Sequence, residues 1–218
     1  MRHAKPGDLP DILSFLQNAN DPNVLSRPEE DYSRAVENGL FYLIEVNRQL
    51  VAAAGVFFLN EQDQGPMEMG SCYVAPAARG FGLQKLLVLP RIAAATIFFD
   101  ETAPIYTAIK PDNPASLKSV TDMGFDRFRE HEPLLIEPCA ACNYRPGHAS
   151  GRICCCDFFY MPLQKRCSAI RRLLSSSTVV LENKTSDRMI VTMDIQLLTI
   201  EDYRGALEEF SESDNCRG

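Results

Sequence analysis

Apolar residues recur at helical spacing near the start of the chain, at Leu9, Ile12, Leu13 and Leu16, directly after Asp8, a residue type that caps helices well. No strand is expected before this helix. Ser26 and Glu29 have capping-box spacing and predict a second helix, which Asn38-Gly39 would end. Residues 40–46 and 50–59 are continuous apolar runs around Asn47-Arg48-Gln49, the pattern of a hairpin. A polar loop at 61–66 precedes a strand at 67–74. An apolar helix follows from Leu83, and Pro90 should either bend it or split it in two. A strand at 104–110 leads to Asn113-Pro114, a strong cap with proline at the first helical position, and Gly124 stops that helix. Strands are expected at 132–136 and 157–163, around an insert containing Cys, Gly and Pro. Beyond Gln164 the composition changes. Ser175-Ser176-Ser177 resembles a linker, residues 178–182 and 189–197 can pair as a hairpin, and 199–210 forms an amphipathic helix.

Charge narrows the partners. The 218 residues carry a formal net charge of −7. That argues against nucleic acid or an anionic membrane, both of which call for a basic face. It mildly favours a cationic substrate such as a polyamine, an aminoglycoside or a lysine. No apolar run approaches the ~20 residues of a membrane span, and Met1–Asp8 contains no apolar signal core. The expected location is therefore the cytoplasm, with the eight cysteines mostly reduced and the sequon at Asn183-Lys184-Thr185 idle.

The most informative stretch joins a strand to a helix through Arg79-Gly80-Phe81-Gly82. The glycines permit a sharp turn and close approach of a ligand. The first N–H groups of the helix lack internal partners, and the helix dipole adds partial positive charge beside Arg79. Such a site suits a phosphate or pyrophosphate. The spacing is neither that of the dinucleotide fingerprint nor that of a phosphate loop ending in Gly-Lys-Ser/Thr.

With element order and motifs combined, the chain resembles the GNAT superfamily of acyl-CoA-dependent N-acyltransferases. Two motifs carry the resemblance. Val74-x-Pro76-x-x-Arg79-Gly80-Phe81-Gly82-Leu83-Gln84 is similar to the family's pyrophosphate loop, and Asn113-Pro114-Ala115-Ser116 with Gly124-Phe125 is similar to its Asn-led helix. The resemblance implies an α+β (α/β) fold, a mixed, mostly antiparallel sheet that splays open and is flanked by helices. It covers residues 1–163, with the Cys-rich insert at 137–157 and a C-terminal extension at 164–218 holding the hairpin and last helix. It also implies acetyl-CoA as the donor and direct transfer to a primary amine on a small molecule or peptide. The 67–74 strand, through Cys72, Tyr73 and Val74, would hold the pantetheine arm. Gly80, Phe81, Gly82, Leu83 and Gln84 with Arg79 would hold the pyrophosphate, and Asn113 and Ser116 the arm.

Glu68 stands where family members often carry the base that takes the amine's proton. Alternation along the strand places Tyr73 on the opposite face and Cys72 on the face of Glu68, unless a bulge shifts the register. Two positions depart from the family pattern: Gln84 replaces a small residue, and Val120 replaces the tyrosine that protonates the departing thiolate. Either Ser119 or Tyr106 substitutes, the thiolate leaves unassisted, or the chain is a catalytically silent acyl-CoA-binding or partner-binding module. Cys139 and Cys142, with His148 and either Cys154 or Cys156, form half of a zinc-ligand pattern. The alternative is buried strand cysteines beside a loose loop. For the extension three roles are open: packing, a lid, or pairing with a second copy as a homodimer.

Overall fold

The computed structural model describes residues 1–19, 21, 23–24, 27–59, 66–98, 103–127, 156–175, 178–193, 203–213 and 216. Strand β1 (Arg2–His3) precedes α1 (Leu9–Asn18) and α2 (Glu29–Glu37). Strands β2 (Phe41–Val46), β3 (Gln49–Phe58) and β4 (Met67–Val74) follow, then α3 (Leu83–Phe98), β5 (Ile105–Ile109), α4 (Pro114–Asp122) and β6 (Asp126–Arg127). The chain continues through β7 (Asp157–Met161), α5 (Leu163–Leu174), β8 (Thr178–Glu182), β9 (Arg188–Thr192) and α6 (Tyr203–Glu212). The main sheet runs β1-β2-β3-β4-β5-β7-β6, and β8-β9 form a separate hairpin.

Among the described residues only the β4–β5 contact of the main sheet is parallel, and it is short: Met67 pairs with Ile105 and Glu68 with Tyr106. Past that point the strands diverge. Thr107 Oγ1 donates to the Met69 carbonyl at 3.0 Å, where the regular ladder has ended. This is the splay that the resemblance implied.

Helix α2 covers one face of the sheet, where Tyr32 packs edge-on against Phe41 and Phe57. Helix α3 covers the other, where its Arg91 approaches Cys72 and Tyr42. One contiguous buried cluster includes Phe41, Val56, Met67, Leu87 and Ile92 together with Ile170, Leu173, Val191, Leu207 and Phe210. The C-terminal extension thus shares the core of the acyltransferase-like part.

Several local expectations change. The chain does begin with a strand: Arg2 pairs with Leu43 and His3 with Tyr42. Helix α1 makes no side-chain cap bond with Asp8. That carboxylate instead accepts from the Lys5 N–H at 2.7 Å and pairs with Arg2. Ser26 lies outside the described residues, and Pro28 is the N-cap of α2. The β2–β3 turn is the two residues Asn47 and Arg48, both at positive φ (52° and 63°), the geometry that suits the twist of a tight hairpin. Pro90 neither splits α3 nor ends it; the helix runs 16 residues. Its neighbour Arg91 donates Nε to the Leu87 carbonyl at 2.9 Å, and Pro90 itself is buried. Apolar burial along Leu86, Leu87, Leu89 and Ile92 offsets the ~3 kcal/mol that an interior proline costs. Helix α5 was missed, although Cys167, Ile170 and Leu173 recur at helical spacing and are all buried. The strand expected at 132–136 lies outside the described residues.

One pair of the eight cysteines is oxidised. Cys167 and Cys216 form a disulfide that ties the C-terminal end to α5, while Cys72 keeps a free thiol. Among the described residues no helix is long and apolar enough to cross a membrane.

Candidate active site

The site begins with one irregularity in β4. Ala53 pairs with Tyr73 and Gly55 with Gly70, so two steps along β3 face three along β4. The extra residue is Ser71, at φ 47°. A bulge of this kind takes a backbone N–H out of the ladder and re-aims the side chains beyond it. Glu68, Ser71 and Tyr73 consequently contact Arg27, Tyr32 and Phe15, residues of the α1–α2 side. Cys72 is turned to the other side and meets Arg91 of α3. The simple alternation is therefore corrected at both positions: Tyr73, not Cys72, shares the face of Glu68. Gly70 is the signal that was available, since a glycine inside a strand marks a bulge or a close approach.

Gly70 is also where Arg27 lies against the strand. A Cβ at this position would sit 3.0 Å from Arg27 Nη2 and 3.4 Å from Nε. The guanidinium rests on the Phe57 ring, with its central carbon 4.1 Å from the centroid. Arg27 Nη2 donates to Glu68 Oε2 at 2.5 Å, and both side chains are nearly buried, at 11% and 5% exposure. Burial alone would lower the Arg27 pKa, but the Glu68 carboxylate more than offsets it, so the net direction is upward. Arg27 Nε is fully buried and has no hydrogen-bond partner among the described residues. Sequence reasoning missed Arg27, which carries no motif.

The Gly loop lies at the other end of β4. Gly80 and Gly82 have φ of 90° and 80°, and Leu86 N–H donates to the Gly82 carbonyl at 3.1 Å as α3 begins. No atom lies within 4 Å of a Cβ built at Gly82, which leaves open space at the helix start for an anion. Arg79 is less free than its sequence position suggested. Its Nε donates to the Val74 carbonyl at 3.0 Å and its Nη2 to Asp21 at 3.2 Å. Gln84 Nε2 donates to Ser116 Oγ at 3.0 Å, and Asn113 Oδ1 accepts from Ser116 N–H at 3.1 Å as the cap of α4. The two helix starts are thereby tied together beside the cleft.

The splay opens into a cavity of about 70 Å³ lined by residues that include Arg27, Glu68, Ser71, Cys72, Gln84 and Asn113. Ser116, Val120 and Cys156 also face it, as do Arg91 and Lys110. Arg91 is 2% exposed and has no carboxylate partner among the described residues. Burial lowers its pKa, against the raising effect of Cys72 and Tyr42. A larger depression of about 790 Å³ lies elsewhere, between α1 and the β2–β3 turn, and Tyr73 faces it. Its Arg2 pairs with both Asp8 and Glu45. The smaller cleft is the one that combines the splay and the bulge, with Gln84 at the start of α3 on its lining.

A family model described as "Acetyltransferase (GNAT) family" matches residues 10–125. The chain belongs to the GNAT acetyltransferase family. It is accordingly an acyl-CoA N-acyltransferase.

Solved structures of GNAT proteins share the fold at low identity. N-acetylglutamate synthase from Neisseria gonorrhoeae, complexed with coenzyme A and N-acetylglutamate, aligns with a TM-score of 0.53 and 19% identity over 74% of this chain. The chain spans only 34% of that protein. Arabidopsis thaliana Naa50, in complex with the bisubstrate analogue CoA-Ac-MVNAL, aligns at 0.53 and 16% identity, covering 73% of this chain and 95% of its own. A GNAT acetyltransferase from Staphylococcus aureus Mu50 aligns at 0.52 and 14%, covering 74% and 96%. No curated protein sequence matches significantly.

Against the GNAT pattern, Val120 faces the cleft where a tyrosine would stand. Ser119 is buried with an unpartnered Oγ and Tyr106 is buried beside Glu68 in the ladder, but neither lines the cavity. Cys139, Cys142, His148 and Cys154 lie outside the described residues. Among the described residues no group of His, Cys, Asp and Glu could hold a metal.

Proposed function

We propose that this GNAT chain transfers an acetyl group from acetyl-CoA to a primary amine by direct attack. The carrying observation is the β4–β5 splay with a strand bulge inside it and an open Gly loop at its mouth. Acetyl-CoA supplies an activated thioester. The loop N–H groups at Gly80, Phe81, Gly82 and Leu83, with Arg79, would hold its pyrophosphate. Backbone from Cys72 to Val74, with Asn113 and Ser116 opposite, would line its arm.

Glu68 is the group placed to take the ammonium proton, directly or through water. Arg27 occupies Oε2, and Oε1 remains for that role. The N–H freed by the bulge at Ser71 is the natural donor to the oxyanion that develops on the thioester carbonyl. With Val120 at the tyrosine position, the thiolate leaves unassisted or takes its proton from Ser119 or Tyr106 after a shift in packing.

The zinc set of Cys139, Cys142, His148 and Cys154 stays a separate proposal, as do a cytoplasmic location and a homodimer. For the homodimer, the outer face of the C-terminal hairpin offers paired Val180 and Ile190, 61% and 70% exposed.

The test is free-thiol release from acetyl-CoA with a panel of amines, run beside calorimetric titration with CoA. Amine-dependent release supports the reading. CoA binding without transfer to any amine favours the silent acyl-CoA-binding module, and absence of CoA binding overturns both.

A further inference from the structure

We infer that the acceptor is an amino acid with a free carboxylate next to the attacked amine, and that Arg27 grips that carboxylate. The inference rests on the cleft being the site of acyl transfer.

Two observations carry it. Arg27 is held flat by the Phe57 ring and by Glu68, and Gly70 makes room for it on the strand. That leaves one committed edge and one uncommitted donor: Nη2 bonds Glu68, and the adjacent Nε is buried without a partner among the described residues. A buried N–H with no acceptor is a cost that a ligand oxygen removes. A guanidinium N–H is a strong, charge-assisted donor to a carboxylate.

The second observation is charge. The chain as a whole is acidic, at −7. The described lining of the cleft does not share that balance: Arg27 and Arg91 stand against Glu68 as its sole carboxylate, two minus one, or +1. A polyamine or aminoglycoside would bring further positive charge into a cleft that already carries an excess. A zwitterion fits: its ammonium meets Glu68, and its carboxylate meets the neighbouring Arg27. One ion pair thus orients the amine beside the group that takes its proton, and fixes the distance between amine and carboxylate that the site accepts.

The test uses the full chain and matched acceptors: free amino acids, the same amino acids as carboxamides, and simple diamines, with acetyl-CoA as donor. At least one free amino acid should exceed its carboxamide by about 100-fold in kcat/KM, because a buried donor left unpaired penalises the analogue. Arg27→Lys should cut that acid-to-amide ratio at least tenfold, since lysine lacks the planar fork. Retention of the ratio in Arg27→Lys, or diamines and carboxamides used as well as the acids, overturns the proposal. A second arm titrates the same amino acids and carboxamides into CoA-saturated protein, so the preference is read without turnover. Protein that binds CoA but shows no preference for the acids in this arm defeats the inference alone. Protein that binds no CoA defeats the underlying reading.

Discussion

Glu68 and Tyr73 lie on the same face of β4 although they are five positions apart, Glu68 against Arg27 and Tyr73 edge-on to Phe15. In a regular strand an odd separation puts two side chains on opposite faces. Ser71 makes the difference, because its φ of 47° absorbs one extra residue.

The backbone conformation at Ser71, more than its hydroxyl, should therefore matter for transfer. Ser71→Gly loses the 3.1 Å contact with the Tyr32 hydroxyl but relieves the positive φ. These effects are each about 1 kcal/mol and opposed. Ser71→Val places a β-branched residue at a positive φ and should be destabilised by about 2 kcal/mol or more. The expected outcome is near-normal acetyl transfer for the glycine variant and loss of transfer for the valine variant. Urea unfolding with parallel rate measurements checks both.

The Gly loop separates strain from charge. A Cβ at Gly82 meets open space, so Gly82→Ala should cost only the backbone strain of φ 80°, about 1 kcal/mol of stability. Gly82→Asp adds a negative charge where the pyrophosphate is proposed to sit. Calorimetry should show CoA affinity falling at least tenfold further in the aspartate variant than in the alanine variant. Equal affinity in the two would remove the pyrophosphate from this loop.

How far the sequence reached depends on whether the signal was local. The Gly loop and the Asn113 cap are set by residues within one turn of each other, and both formed as expected. The hairpin at Asn47-Arg48 is local in the same way. Arg27 was invisible, because its importance comes from Glu68, Gly70 and Phe57, each tens of residues away. Strand β1 is only two residues long and exists through pairing with β2, so no periodicity announces it. Helix α5 carried a periodic signal, but the change in composition around it suggested a linker.

The pH response should show at the N-terminus. Hydrogen bonding to Arg2 holds the Asp8 carboxyl below its ordinary 3.8, against the raising effect of burial. A depressed folded pKa adds stability above the unfolded pKa, and that stability disappears as pH falls through the folded value. Asp8→Asn should thus be less stable than the parent at neutral pH, by under about 1 kcal/mol for so exposed a pair. The gap should begin to narrow below about pH 4 and close once pH falls below the depressed folded value, where both proteins lack the charge. Thermal melts across that range provide the check.

Reduction should loosen the C-terminal end. The Cys167–Cys216 bond spans 49 positions, and Arg171 Nη2 donates to the Cys216 carbonyl at 2.9 Å on the same surface of α5. Loss of a cross-link of this size typically costs 2–4 kcal/mol, or about that here. Cys216→Ser should lower the melting temperature and expose α6 to proteolysis. CoA binding should survive, since the cleft lies between β4 and β5. Intact mass after alkylation, with and without reductant, shows whether the bond is formed in the purified protein.

The final prediction separates the chemistry of Glu68 from its structural part. Glu68→Gln keeps an oxygen that can accept from Arg27 Nη2 but cannot take the amine's proton. Transfer should fall by about 10²–10⁴-fold, the usual cost of losing a general base, with little change in acetyl-CoA affinity. Glu68→Ala instead leaves the Arg27 guanidinium buried without its carboxylate, and should cost about 3–5 kcal/mol of stability. If Glu68 served only to hold Arg27, the glutamine variant would keep most of its rate while the alanine variant lost its fold. Rates and denaturant midpoints measured on both variants distinguish a base from a support.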